Sequence, residues 1–392
     1  MVPPRRSDRL AGKSPPPPSD LPPTRQPRSG APPSNVPSSA KGKEKATTAE
    51  STESEDPQTL MENAEAKISA YSSKDTNDNT QKILRAFLEH LPPEGQRNIA
   101  TDIIEVKDLY QLSQSLRTGL LMSMRTRKTP VVTPSPRPGY KEDIKKLADK
   151  LPKSSSHNQQ KVLKETCLRR DGFRCTITGA ADVAYKEHVR DQVMGGPGVA
   201  ATEAAHIIPF SLGNYKGDGE KRALLQKWDT LYLCFPAVQN TTNFYVANIN
   251  DASNVITMLD ALHKQFGEFN FSLEATCQSE PNSYTIKTYP NFSTFYSPHL
   301  PPDSIVRFRN HNNTDVPLPD PTLLEVHATV ARILHASGEG ERIDRLLREW
   351  KDIGCLAEDG STDVHSLLSL SFTCRGDYDE DQASQDWKEI TA

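Results

Sequence analysis

Two short stretches restrict this chain more than anything else in it: EAAHIIPF at residues 203–210 and NVITMLDALHKQF at residues 254–266. In the first, Ile207 and Ile208 are β-branched and favour an extended backbone, while Pro209 ends any pairing. His206 stands at the head of that apolar run. The second opens as a strand, Val255-Ile256-Thr257-Met258. Its pattern then changes: Leu259, Leu262, His263 and Phe266 recur at offsets of three and four, the spacing of one helical face. A histidine on a strand, an asparagine ahead of the next strand and a histidine on the buried side of the following helix predict a ββα unit.

Around this pair lie CLRRDGFRCTITG at residues 167–179 and LHKQFGEF at residues 262–269, with nine positions from Asn254 to His263. In this order the motifs resemble the HNH endonuclease family, in the form common in fungal proteins of unknown role, over residues 167–274. The resemblance implies a metal-dependent endonuclease that hydrolyses phosphodiester bonds in nucleic acid. DNA is the expected partner and one divalent ion, Mg²⁺ or Zn²⁺, the expected cofactor. Cutting such a bond needs a base to deprotonate water, a cation to offset charge on the phosphate, and a group that holds the base. Histidine suits the first task because its ordinary pKa of about 6.5 lies near cellular pH. By the resemblance His206 is the general base, Asn254 orients its neighbours and His263 is a metal ligand.

The pattern is incomplete at two positions. Ala205 stands where the superfamily often has a ligand before the base, and Gly267 one turn after the helix histidine. Neither can hold a metal. Glu203, Asp260, Asp251 and the Asn254 side chain are the nearby candidates to complete the shell. Asp260 lies three before His263 and can share its face, whereas strand alternation sets Glu203 opposite His206. The gaps keep open an alternative, a catalytically inactive HNH-like module that binds DNA or a protein partner. A third class, an interaction protein built on the N-terminal helices, ranks below both.

The rest of the 392 residues supports an α+β domain with helical covering and disordered ends. Residues 1–57 are rich in proline and serine, and over residues 1–45 nine basic side chains face three acidic ones. Such a basic arm cannot bury enough apolar surface to order itself. Residues 58–126 carry helical stripes, the strongest being Ile83, Leu84, Phe87, Leu88 and Leu91 up to Pro92-Pro93, and predict a small helical unit. A proline-rich linker follows at 127–140. The HNH-like domain with its C-terminal covering helices spans 141–358. Within it, helices are expected at 144–151 and 159–170, with Val162, Leu163, Thr166 and Cys167 on one face. A short strand is expected at 173–178, a polar loop at 180–202 and a helix within an insertion at 211–253. Closing strands are expected near 269–273 and 284–289, and helices at 323–334 and 343–350. Residues 359–392 form an acidic tail.

Net charge is only −4, so nucleic-acid binding requires a local patch; Lys164, Arg169, Arg170 and Arg174, or Lys216, Lys221 and Arg222, could supply one. The six cysteines form no C-x-x-C pair, which argues against a zinc ribbon on Cys167 and Cys175 and for reduced thiols. Other histidines, His188, His299, His311, His327, His335 and His365, lack a paired context and are expected at the surface. No secretory leader or membrane-length apolar run is present. The expectation is an intracellular protein, nuclear or cytoplasmic, with no membrane and no small-molecule cofactor.

Overall fold

A computed structural model describes residues 56–125, 132–149, 151, 158–189, 198–276, 280–312 and 314–352. The disorder expected of the basic arm and the acidic tail falls outside them, apart from residues 56 and 57 of the arm. The architecture is mixed α+β, with much helix and small sheets.

The N-terminal stripes form α1 (Pro57–Ser69), α2 (Thr80–His90), α3 (Pro93–Glu105), α4 (Leu109–Leu116), a π-helical turn (Arg117–Leu121) and α5 (Met122–Arg125). Pro92 holds Leu91 extended and stops α2, and Pro93 opens α3, where its missing N–H costs nothing. Asp108 caps α4 by accepting from the Gln111 N–H. The apolar face of α2 is sealed, with Ile83, Leu84 and Phe87 fully buried. These helices share one contiguous core with the HNH-like segment. Gly95 on α3 shows how close the packing is, because a Cβ there would overlap the Cys234 carbonyl.

Next come α6 (Tyr140–Ala148) and α7 (Asn158–Arg170), then a two-residue parallel pair of β1 (Ala181–Asp182) and β2 (Val199–Ala200) inside the expected loop. The strand expected at 173–178 is a turn with one isolated bridge, Arg174 to Ala181. Positive φ at Gly172 (67°), Phe173 (58°) and Gly179 (74°) bends the backbone out of extended geometry. On α7 the expected apolar face is half right. Leu163 and Cys167 are buried, but Val162 is 64% exposed.

The central ribbon pairs β3 (Thr202–His206) with β4 (Val255–Leu259) antiparallel, Glu203 opposite Met258 and His206 opposite Val255. The insertion between them contains α8 (Asp218–Cys234) and α9 (Pro236–Asn240). It is tied back by the Trp228 indole N–H, which donates to the Leu212 carbonyl (2.9 Å). After β4 the chain turns at once into α10 (Asp260–Gly267). One ribbon face, with Ala205, Ile256 and Met258, joins the main core alongside Leu262 and Phe266 of α10. On the other, Val255 packs against Leu163 and Cys167 of α7.

A meander of β5 (Phe271–Ala275), β6 (Ser283–Thr288) and β7 (Ile305–Arg307) follows. Two long helices, α11 (Pro321–Ser337) and α12 (Glu339–Asp352), close the core. Glu339 binds them to the N-terminal helices, accepting from Arg117 Nε (2.7 Å) and Asn79 Nδ2 (3.1 Å).

Candidate functional site

The ribbon and α10 reproduce the predicted ββα order: strand, strand, helix. His206 occupies the last position of β3, half-buried, with the Phe210 ring 5.7 Å away. Its Nε2 lies 3.1 Å from Asn250 Oδ1. Burial pushes its pKa below the usual histidine value, opposed by the Asn250 hydrogen bond and reinforced by the nearby charge of His263. The ring is therefore neutral at pH 7, the state in which it can accept a proton.

Asn254 is wholly enclosed. Its Oδ1 accepts from the Ile208 N–H (2.8 Å), and its Nδ2 donates to the carbonyls of Ile208 (3.0 Å) and Ile249 (2.9 Å). Its backbone carbonyl also accepts from the Ile207 N–H (2.8 Å). The side chain is spent on the backbone just after His206 and just before Asn250. It shapes the site without facing a substrate.

His263 lies partly open on α10, its side chain 28% exposed, and its Nδ1 meets Glu203 Oε2 at 2.5 Å. Sequence reasoning placed Asp260 ahead of Glu203 as the companion of His263, and the geometry reverses the order. Alternation does set Glu203 on the face opposite His206, with Ala205, Ile256 and Met258. That is the face α10 covers, so Glu203 meets His263 there. Asp260 instead sits exposed at the helix start, its Oδ1 accepting from the Ala261 N–H (2.6 Å). Asp251 accepts from Asn248 Nδ2 (2.8 Å) within its own turn.

These residues do not build a preformed metal site. Two donors, His263 and Glu203, are bonded to each other, and Ala205 and Gly267 offer nothing. Among the described residues no three His, Cys, Asp or Glu side chains converge as a metal would require. Cys167, Cys175 and Cys234 are free and buried, and the first packs as a small apolar group. The described residues contain no helix long and apolar enough to cross a membrane.

Two other side chains depart from expectation, and a third was not foreseen. Arg170, expected in a phosphate-contacting patch, is fully buried and paired with Asp171 (2.7 Å), with further bonds to the carbonyls of Ala252, Pro317 and Val255. Lys164 and Arg169 remain on the accessible side of α7. His327, expected at the surface, is buried on α11 between the rings of Phe266 (3.6 Å) and Phe269 (4.4 Å), with Nε2 3.0 Å from the Phe266 carbonyl. Its place between Leu323, Leu324, Val330 and Ala331 in a core stripe was the available signal. Asn250 escaped the sequence reading because nothing local marks it. Its partner lies forty-four residues away across the insertion.

Residues 175–274 match the HNH endonuclease family. No curated protein and no solved structure matches the chain. The matched segment runs from the turn before β1 to β5 and contains every residue of the ββα corner. That segment is similar to HNH endonucleases, and the helices of the remaining described residues pack around it.

Proposed function

We propose that the chain is an HNH-type endonuclease acting on nucleic acid, with DNA as substrate and His206 as general base. The observation that carries this reading is the state of His206. It is neutral, held at the end of β3, and has one ring nitrogen without a hydrogen bond among the described residues. In the proposed reaction that nitrogen takes a proton from water as the water oxygen attacks phosphorus. The phosphorus bond to the leaving oxygen breaks, and that oxygen acquires a proton from solvent. Glu203 accepts from His263 Nδ1, which leaves His263 Nε2 as the lone-pair nitrogen of the neutral ring. No step is assigned to a metal, because the donor set falls short of one. A divalent ion on this surface would have to draw most of its ligands from water and the substrate phosphate, as Mg²⁺ commonly does.

A second reading has its own observation. The empty ligand positions at Ala205 and Gly267 favour a module that binds nucleic acid without cutting it. Incubation of the full-length chain with supercoiled plasmid separates the two, using Mg²⁺, Mn²⁺, Zn²⁺ and a chelator in parallel. Nicking or linearisation is expected in at least one condition. Binding that weakens steeply with salt, with no cleavage in any condition, would replace the first reading by the second.

A further inference from the structure

We propose that Asn250, which lies outside the HNH motif, is the positioning residue for His206, fixing which ring nitrogen is free to act as the base. The proposal deepens the nuclease reading and rests on it. The first argument is chemical. The Asn250 atom that faces the ring is Oδ1, which can only accept, so His206 Nε2 must carry the proton it donates (3.1 Å). In a neutral ring the lone pair then belongs to Nδ1. That atom has no hydrogen-bond partner among the described residues.

The second argument is that the chain builds a rigid mount for Asn250. On one side, the turn preceding it is closed by Asn248, whose Oδ1 accepts from the Tyr245 N–H (3.0 Å) and whose Nδ2 reaches Asp251 (2.8 Å). On the other, Ile249 is fully buried, and its carbonyl is held by Asn254 Nδ2. Ile249 also lies against Gly213, where a Cβ would overlap its side chain. Asn254 thus bonds both to Ile208, two residues past His206, and to Ile249, one residue before Asn250. It sets the spacing across which Asn250 meets the imidazole. The work the family resemblance gives to one asparagine is divided here: Asn254 fixes the two backbones, and Asn250 touches the ring. A base whose tautomer and direction are set beforehand needs no reorganisation at reaction, and a misplacement of about 1 Å can cost on the order of 10²-fold in rate.

The test is the imidazole nitrogen spectrum of the full-length protein labelled with ¹⁵N-histidine, recorded above pH 7, beside single-turnover cleavage. The parent should show His206 with its proton on Nε2. Asn250→Ala should give a mixture of tautomers at His206 and lower the cleavage rate about 10²-fold, with KM little changed. Asn250→Asp keeps an acceptor and should restore the Nε2–H tautomer; Asn250→Ser, smaller but still polar, covers the case in which the alanine variant folds poorly. Retention of a pure Nε2–H tautomer in Asn250→Ala, or a mixture already present in the parent, would overturn the proposal. The tautomer is readable whether or not the protein cuts DNA, so loss of the nuclease reading and loss of this one are distinguishable.

Discussion

The two sides of α10 show what the same residue type does in different surroundings. On its inner side the helix backbone receives His327 from α11, a ring stacked between Phe266 and Phe269 and bonded to the Phe266 carbonyl. On its outer side His263 faces Glu203 in partly open surroundings. His206, across the ribbon, lies between these extremes: buried enough to stay neutral, yet with one nitrogen unspent. Burial lowers the pKa of both His206 and His327, and each ring holds a hydrogen bond through Nε2, but His327 is 2% exposed whereas His206 is only half-buried. A depressed pKa alone therefore does not mark a catalytic histidine. Each ring also keeps one nitrogen without a partner among the described residues; access separates them, because His327 is sealed between Phe266 and Phe269 while His206 is partly open.

Acid should break the inner contact first and most strongly. Burial pushes the pKa of His327 down to about 3, from a usual value of 6.5. Above pH 6.5 both folded and unfolded chains hold the ring neutral. As pH falls from 6.5 towards 3 only the unfolded chain takes up the proton. Stability is therefore lost on acidification, by up to about 1.4 kcal/mol per pH unit. His327→Phe keeps a flat ring and removes the titration, so urea midpoints measured across this window should fall less with acid than in the parent.

Asn254→Ala comes next in size. It strands the Ile208 N–H and the carbonyls of Ile208 and Ile249, and should lower stability by about 2–4 kcal/mol in chemical denaturation. Asn254→Asp should not restore it, because a carboxylate cannot donate to two carbonyls. Gly95→Ala, which drives a methyl into the Cys234 carbonyl where α3 crosses the end of α8, should cost about 1–3 kcal/mol. It should leave any cleavage per folded molecule unchanged. The smallest effect falls on the outer side of α10. Glu203 is half exposed, so Glu203→Gln should change stability by less than about 1 kcal/mol.

Much of the ββα corner was legible because its signals are local. The change from strand to helical spacing between Val255 and Phe266 reads directly, and so does the break that Pro209 imposes after β3. The helices 58–126 were equally plain, since Ile83, Leu84, Phe87 and Leu88 form a continuous stripe. What the sequence hid depends on distant partners. Whether Glu203 or Asp260 meets His263 turns on which ribbon face α10 covers, and the packing of the whole core decides that. Arg170 looks like a surface cation until its neighbour Asp171 is seen to neutralise it in the interior. The strand expected at 173–178 failed because left-handed backbone at Gly172, Phe173 and Gly179 overrode the apolar pattern.

The central claim, that His206 is the base of a nucleic-acid-cutting site, is tested most directly by comparing the full-length chain with its His206→Ala variant. Single-turnover plasmid cleavage and DNA affinity should be measured side by side in the same buffers. Loss of a positioned base should slow cleavage roughly 10²–10⁴-fold. Affinity should hold, since phosphate contacts come from lysine and arginine elsewhere. In the parent the rate should rise with pH only up to a value below the ordinary histidine pKa and then level off, because burial keeps the ring neutral. Equal cleavage by parent and variant would contradict the account.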